Sequence, residues 1–466
     1  MFDPAWTRRA RLAAIGVVLF FSPALLASAP DDDGDGFEVS PAGTLLSSNG
    51  IAFNSEGTRA YVSSSYGGVS VIDPIAARNV GTFDISRSVS SPSGIGCARG
   101  KLYVTSMRDV AVVDEATGIV LRTLARPFVA GSIEGDVAAT PDGSRVVVAM
   151  GTSPLLAVID TADDSVAGSV PLGANYNRVA LSPDGAVAYV TNKEAGAIAT
   201  VDLAAFGVVR VQSIAPDSDI LDFPCAVAVR PGNGDVIVSY VTPDYAGHLA
   251  VFSAEGERRR VIHVGRFATG VDVSGDGRFA MVGSGDVFDL ESGARVASLD
   301  VPQNAISDVV FAPGRDERAL VTDAGDRHVQ VATGFDPSLV LSAGTARAGE
   351  ALTFALDMPG EGGRPFQLAA SESTRRGIPL AGGLRFPLDA DRLFRATRAA
   401  AGPFASAIGT LDRNGRATVA VTLAPADLPF RGAGYPVSFA YATFGSGRLR
   451  ADARRVSNAV TVVLLP

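Results

Sequence analysis

A short turn recurs along the chain at nearly constant spacing, and this repeat constrains the fold more than any other feature. The turn is TPDG at residues 140–143 and SPDG at 182–185, and related copies end at Gly57, Gly100, Gly234 and Gly277. Successive copies are 43, 43, 42, 49 and 43 residues apart, and a degenerate seventh copy follows at 312–316. A fixed period in this range indicates one supersecondary unit, repeated so that each copy buries its faces against its neighbours.

Each unit contains four short segments that alternate apolar and polar residues. In the fourth copy they are VALS (179–182), VAYVT (187–191), AIATVD (197–202) and VRVQSI (209–214). Alternation with period two and β-branched enrichment predict strands, and Pro183, Asp184 and Gly185 suit a tight turn. Four antiparallel strands in a unit of this length predict a β-propeller blade, so we expect an all-β chain with a seven-bladed β-propeller over 37–336.

The seventh unit supplies only three strands of its own. Residues 37–47, FEVSPAGTLLS, form an additional strand before the first turn. We expect this segment to be the closing strand of the seventh blade, because that pairing joins the two ends of the ring and removes a sheet edge.

The N-terminal residues predict export. Three arginines precede an apolar run that ends in Ala27-Ser28-Ala29, which is the pattern of a signal peptide over 1–29. Residues 30–36 follow as an acidic spacer, in which Asp31, Asp33, Asp35 and Gly36 match the start of a calcium loop. Position twelve of that loop is Ala42 where a glutamate is expected, so we assign no metal site there. The expected location is the periplasm, the cell surface or the exterior, with no transmembrane segment in the mature chain.

The last part of the chain differs in charge and pattern. Residues 30–336 carry 22 Lys and Arg against 39 Asp and Glu, whereas 337–466 carry 15 Arg and 9 acids. The repeat is absent there, and alternating segments predict a small immunoglobulin-like β-sandwich domain over 337–466, with a hairpin at Asn414-Gly415 and one short helix within 388–400. The acidic first part argues against a nucleic-acid partner, and the basic domain is a candidate for contact with the cell envelope.

The string YVTN at 189–192, preceded by SPDG and followed by ATVD, resembles the repeat of YVTN-type secreted β-propellers. Their architecture is related to that of lactonase-like propellers and of the propeller subunits of amine dehydrogenases. The resemblance covers about 300 residues and implies the propeller architecture, but a shared fold does not imply an activity. The C-terminal domain resembles the β-sandwich tails of secreted bacterial repeat proteins.

The sequence gives no cofactor motif. A c-type haem would need Cys-x-x-Cys-His, which is absent, and the only tryptophan, Trp6, lies in the signal peptide. We therefore expect no cofactor and assign no catalytic residue.

In a propeller the loops between the second and third strands, and those between blades, lie at one face. Loops on a rigid scaffold commonly carry recognition residues. The candidate ligand-binding residues at this face are Arg87, Tyr176, Arg178, Asp219, Tyr245, His248, Arg266 and His328.

These features favour a non-enzymatic exported or surface-associated protein that binds at one mouth of the ring. Its partner would be a protein, a polysaccharide or a small molecule. The alternative is a lactonase-like hydrolase, which would need a base such as His248 or His328 in the mouth. A third interpretation is a propeller partner subunit of a dehydrogenase, with the cofactor on another chain.

Overall fold

The structure, a computed structural model, describes residues 38–44, 48–106, 109–124, 135–150, 154–173, 176–215, 222–266, 268–298, 306–323, 328–333, 339–343, 347–358, 360–374, 376–380, 385–398, 404, 407–424, 435–445 and 453–464. All of them belong to one compact unit, Asp33–Pro466. Among these residues no helix combines the length and the apolar character needed to cross a bilayer.

Strands dominate the described chain, and most of them form four-stranded antiparallel sheets. The first strand, β1 (Glu38–Thr44), joins the last of these sheets. Sheet 1 contains β2 (Ser48–Phe53), β3 (Ala60–Ser64), β4 (Gly68–Asp73) and β5 (Arg78–Asp84). Sheet 2 contains β6 (Ile95–Ala98), β7 (Lys101–Thr105), β8 (Val110–Asp114) and β9 (Val120–Leu124). Sheet 3 contains β10 (Gly135–Ala139), β11 (Arg145–Met150), β12 (Leu155–Asp160) and β13 (Ser165–Pro171). Sheets 4 and 5 are β14 (Arg178–Leu181), β15 (Val187–Asn192), β16 (Ala197–Asp202), β17 (Gly207–Ser213); β18 (Phe223–Val229), β19 (Val236–Val241), β20 (Ala246–Phe252), β21 (Arg258–Arg266). Sheets 6 and 7 are β22 (Val271–Val273), β23 (Phe279–Val282), β24 (Asp286–Asp289), β25 (Arg295–Ser298); β26 (Ile306–Ala312), β27 (Arg315–Asp323), β28 (His328–Thr333) with β1.

The N-terminal strand lies at the outer edge of sheet 7. β1 pairs antiparallel with β28 from Glu38 opposite Thr333 to Thr44 opposite His328, with a bulge between Pro41 and Gly43. Residues from the two ends of the repeat region thus share one sheet, which leaves β28 with a hydrogen-bonded neighbour on each side.

The first strands of consecutive sheets contact one another in a closed cycle: β2, β6, β10, β14, β18, β22, β26 and back to β2. At the closing step Asp308 Oδ2 accepts a hydrogen bond from the Ile51 amide at 3.2 Å. This all-β arrangement of sheets around a common axis is that of a β-propeller.

Side chains link the first strands where no ladder can form. A first strand has a neighbour on one side only, so half of its backbone groups need other partners. Asp136 Oδ2 accepts from the Val179 amide of the next sheet at 3.0 Å, and Asp272 Oδ2 accepts from Phe311 at 2.7 Å. The same side chains therefore satisfy edge amides and join neighbouring sheets.

A tyrosine of the second strand makes a further bond between sheets. The Tyr61 hydroxyl donates to Glu115 at 2.9 Å, and the Tyr103 hydroxyl donates to Asp164 at 2.7 Å. Both acids lie in the turn between the third and fourth strands of the following sheet. The tyrosine of the repeated motif thus ties one sheet to the next across an apolar core.

The C-terminal residues form two packed sheets and one short helix. Their elements are β29 (Leu339–Ala343), β30 (Ala351–Asp357), β31 (Pro365–Ser371), β32 (Ile378–Pro379), β33 (Arg385–Phe386), α1 (Arg392–Arg398), β34 (Ile408–Thr410), β35 (Arg416–Thr422), β36 (Tyr435–Phe444), β37 (Ala453–Val456) and β38 (Val460–Leu464). β29, β30 and β35 form one layer, and β34, β31, β36 and β38 form the other. Phe354 and Phe439 pack between them with ring centroids 4.6 Å apart.

The predicted hairpin at Asn414-Gly415 is wrong. The tight turn forms, with Gly415 at φ 86° and its amide donating to the Asp412 carbonyl, but the flanking strands separate. β34 pairs with β31, whereas β35 pairs with β30. Val419 and Val421 of β35 are buried in the core, so apolar burial directs this strand to the opposite layer.

The C-terminal layer continues into sheet 6. β38 pairs with β25 at Thr461 opposite Arg295, and one apolar core runs from sheets 6 and 7 into the C-terminal layers. The Asn458 amide nitrogen donates to the carbonyls of Val296 at 2.7 Å and Leu339 at 3.0 Å, while its oxygen accepts from the Leu339 amide at 2.8 Å. Repeat region and tail are therefore joined by backbone pairing, side-chain bonds and shared apolar surface.

Candidate functional site

The mouth end of the ring is the end at which each sheet begins its first strand. Because the four strands alternate in direction, the turns between second and third strands and the connections between sheets lie at this end. The candidate residues predicted from the sequence that the structure describes are all in or next to these segments.

Polar side chains concentrate where sheet 4 faces sheet 5. Thr191 of β15 pairs with Arg178 on one side and Ile198 on the other, and His248 of β20 pairs with Tyr240. Cross-strand pairs project from the same face of a sheet, and Ile198 and Tyr240 belong to one apolar cluster between the two sheets. Arg178 and Thr191 therefore face Tyr240 and His248; these four residues are called the mouth cleft below.

Two buried polar atoms of the mouth cleft have no hydrogen-bond partner among the described residues: Thr191 Oγ1 and His248 Nδ1. Leaving a buried polar atom unpaired costs about 1 to 3 kcal/mol. The corresponding threonine of sheet 2, Thr105, is fully paired: its hydroxyl accepts from the Gly94 amide at 2.8 Å and lies 2.9 Å from Ser93 Oγ. The same residue type in the same strand position is thus paired in sheet 2 and unpaired in sheet 4.

The imidazole of His248 is held between two rings. It stacks on Tyr240 with centroids 5.1 Å apart and meets His263 edge-on at 5.0 Å. Burial, and then the neighbouring His263, lowers the pKa of His248 to about 4. The ring is therefore neutral at physiological pH and offers one donor and one acceptor rather than a charge.

The mouth cleft contains one charged group, Arg178, and a second, Asp222, lies beside it. Arg178 donates from Nε to the Cys225 carbonyl at 3.3 Å and so ties sheet 4 to sheet 5. Asp222 is buried just before β18, and after burial itself it is the main cause that raises the pKa of Tyr240. Charges of both signs therefore lie beside the neutral groups.

Tyr245 occupies the turn that leads into β20. Its ring is 61% exposed, although its backbone has φ 67°. A bulky residue at positive φ is rare because its Cβ crowds the backbone, so this position is strained.

The other predicted residues lie apart from the mouth cleft or outside the described atoms. Tyr176 is buried in the core between sheets 3 and 4, with its hydroxyl bonded to Asn192. Arg87 is exposed in the connection between sheets 1 and 2. Asp219 lies outside the described residues, and for Arg266 and His328 only the backbone, in β21 and β28, is described.

Sequence reasoning missed Thr191, Tyr240 and His263. The sequence did contain a signal for such residues. In most sheets the second strand carries a serine or threonine near its mouth end: Ser63, Thr105, Thr191, Ser239 and Thr322. Among the described residues no three His, Cys, Asp or Glu side chains are grouped as a metal site would require.

Comparison with known proteins shows the fold alone. No protein-family model matches the chain, and no curated protein sequence matches it. The chain is structurally similar to hydrazine synthase of Kuenenia stuttgartiensis, with a TM-score of 0.53 and 16% identity over 62% of this chain and 95% of the other. It is also similar to the Cps50 (Swd1) β-propeller domain of Myceliophteria thermophila, with a TM-score of 0.52 and 11% identity over 63% of this chain and 99% of the other. The chain is thus a propeller protein by structure, and its role has to be argued from its own residues.

Proposed function

We propose that this chain is an exported, non-enzymatic binding protein that recognises its ligand in the mouth cleft of a seven-bladed propeller of the YVTN type. The observation that carries the proposal is the pair of unpartnered buried atoms, Thr191 Oγ1 and His248 Nδ1. Buried polar groups in native proteins are nearly always paired, and a binding site is one place where pairing is left to a ligand.

Several features of the chain support the proposed architecture. The described repeat region contains six four-stranded sheets and one further set of four strands, β22 to β25, which continues into a nine-stranded sheet with the tail. YVTN itself lies in β15 of sheet 4. The two packed C-terminal layers are consistent with an immunoglobulin-like sandwich as the tail. The tail's excess of arginine suits contact with an anionic cell envelope after export.

The surroundings of His248 favour binding over hydrolysis. A general base works best when its pKa is near the working pH, whereas the pKa of His248 is lowered to about 4. Nδ1 of this imidazole has no hydrogen-bond partner among the described residues, so no carboxylate orients the ring through that nitrogen. The charge of Asp244 acts to raise the pKa of His248, but burial and His263 outweigh it. These properties suit a hydrogen-bonding partner for a ligand and do not favour the lactonase-like alternative.

A thermal-shift screen with the purified mature chain tests the proposal. The compounds are neutral oligosaccharides, amino acids, dicarboxylates, polyamines and lactones. We expect at least one class to raise the Tm of the wild type, and the response to be lost in the double variant Thr191→Val, His248→Phe.

Thr105→Val is the matched control, because it alters the equivalent strand position two sheets away. It should retain the ligand response while lowering the starting Tm. A screen without any stabilising compound, or equal responses in the double variant and the wild type, would contradict the proposed function.

A further inference from the structure

The chain contains three Asn-Gly pairs: Asn49-Gly50, Asn233-Gly234 and Asn414-Gly415. Asparagine is a chemically labile residue, and a following glycine favours its deamidation because glycine has no side chain to keep its backbone nitrogen away from the asparagine amide. Since the dipeptide is the same at all three sites, the contacts that the fold makes with each asparagine decide which one reacts.

Deamidation begins when the backbone nitrogen of the glycine attacks the side-chain carbonyl carbon of the asparagine. The glycine nitrogen loses its proton to hydroxide from the solvent, a cyclic imide forms, and the asparagine amide leaves as ammonia. Water then adds to either carbonyl of the imide and opens the ring to aspartate or isoaspartate, which carries a new negative charge. The side-chain amide must therefore be free to turn and to leave.

Asn49 is held in a way that opposes this reaction. Its amide nitrogen donates to Ser65 Oγ and to the Pro92 carbonyl, each at 2.7 Å. Gly50 is buried, and its amide donates to Ser63 Oγ at 3.1 Å. Both the leaving group and the attacking nitrogen are thus bonded inside the fold.

Asn233 and Asn414 are more closely matched. Both are exposed in tight turns, and the glycines that follow them have φ 73° and 86°. In each turn the glycine amide donates to a backbone carbonyl at 3.1 Å, that of Arg230 or of Asp412. That bond must open at both sites before the nitrogen can attack, and Gly415 is the more buried of the two glycines.

The side chains of these two asparagines differ. The Asn233 amide nitrogen donates to Asp235 Oδ2 at 2.9 Å, and its oxygen accepts from the Asp235 amide at 3.0 Å. Asp235 is itself buried and accepts from Arg259 Nη1 at 3.1 Å, which fixes the carboxylate in place. The side chain of Asn414, in contrast, makes no hydrogen bond within the described part of the chain. Only at Asn414 is the amide both exposed and free to turn.

We infer that Asn414 is a modification site, at which the folded chain deamidates spontaneously to aspartate or isoaspartate. The site is independent of the mouth cleft and of the proposed function. The new carboxylate would lie close to Asp412, whose Oδ1 already accepts the backbone amide of residue 414 at 2.8 Å. Isoaspartate would also lengthen the backbone of the turn that links β34 to β35, which lie in opposite layers of the tail.

Peptide mapping by mass spectrometry after incubation of the mature chain at about pH 8 and 37 °C measures the reaction, because each conversion adds about 1 Da. The same chain in urea is the internal control, since all three pairs are then released from the fold. We expect folding to slow Asn233 roughly tenfold or more beyond any slowing at Asn414, because its hydrogen bond to a charged group must break first. Asn49 should be slowed at least as much as Asn233.

Isoelectric focusing of two variants completes the test. Asn414→Gln should remove the first acidic band that appears in the aged wild type, because glutamine would have to form a larger ring and reacts far more slowly. Asn233→Gln should leave that band in place. The inference is overturned if Asn414 is protected as strongly as Asn233, if it keeps its amide after the urea sample has converted, or if the first acidic band persists in Asn414→Gln.

Discussion

Asp308 makes a hydrogen bond between sheets 7 and 1, and its buried carboxylate also lowers the stability of the fold when it is ionised. It accepts the Ile51 amide of sheet 1 and its own neighbouring amide, from Val309 at 3.0 Å. Burial raises its pKa to about 7; Arg178 opposes the shift, and Asp136 and Asp272 add to it. The bond that closes the ring is therefore made by a group that is costly to ionise where it lies.

This pKa predicts how stability depends on pH. An unfolded aspartate titrates near 3.9, so between about pH 4 and pH 7 the folded chain binds more protons at Asp308 than the unfolded chain does. The contribution of Asp308 to the free energy of unfolding must then fall as pH rises through this window. Asp272, with a pKa raised to about 6 by burial, acts in the same direction.

His248, whose pKa is lowered to about 4, acts in the opposite direction below about pH 6.5, so the clearest window lies above that value. We expect the wild type to melt at a lower temperature at pH 8 than at pH 6.5, and Asp308→Asn should remove most of this difference, because asparagine does not titrate. Thermal unfolding at the two pH values measures it. An undiminished difference in the variant would show that Asp308 is not the group responsible.

The hydrogen bonds that tyrosine hydroxyls make between neighbouring sheets lead to a second prediction at the scale of single residues. Tyr103→Phe removes the bond to Asp164 but leaves that carboxylate paired with Lys101 at 2.8 Å. The expected loss is about 1.5 to 3 kcal/mol of unfolding free energy, as for one hydrogen bond to a charged group. Tyr189→Phe is the control, since the Tyr189 hydroxyl has no hydrogen bond in the described part of the chain. Equal effects of the two substitutions would argue against the tie.

At the scale of elements, β1 is the segment whose removal should matter most. Deleting residues 38–44 removes the outer strand of sheet 7 and leaves β28 as an open edge. We expect Tm to fall by several degrees and the chain to associate at high concentration, because open edges pair with other chains. Deleting only residues 1–29 is the control. An unchanged Tm after loss of β1 would contradict its role in closing the ring.

The sequence predicts the repeating elements well, because each needs only local chemistry. Turn residues and period-two alternation within one unit are enough to place its strands, and the short helix lies at Arg392–Arg398 inside the expected 388–400. Pairings between distant segments are harder. The partner of β35 depends on which layer can bury its Val419 and Val421, and the local NG turn carries no information about that.

At the scale of the whole molecule, ring and tail share one apolar core, so they should unfold together. Asn458→Ala removes three buried hydrogen bonds, one from the tail to Val296 of sheet 6 and two within the tail to Leu339, and should cost about 2 to 3 kcal/mol. We expect one calorimetric transition in the wild type and an earlier separate transition of the tail in the variant. The exposed Arg413→Ala is the control. Two transitions already present in the wild type would contradict a shared core.

The mouth cleft could be only partly predicted. Arg178 and His248 were identifiable because they lie in segments that a propeller places at one end. Thr191 could not be distinguished from Thr105 by its own motif, since YVTN and YVTS are nearly the same. The difference comes from the opposite strand: Thr105 lies across from Gly94, whose backbone it binds, whereas Thr191 lies across from Arg178.

This difference gives the most direct test of the claim that sheets 4 and 5 hold polar groups ready for a ligand. Urea unfolding without ligand would compare Thr191→Val with Thr105→Val, two identical substitutions at equivalent positions. We predict that Thr105→Val lowers the free energy of unfolding by about 1 to 3 kcal/mol, whereas Thr191→Val leaves it unchanged or raises it. Equal destabilisation by the two variants would show that Thr191 is already satisfied within the fold and would contradict the claim.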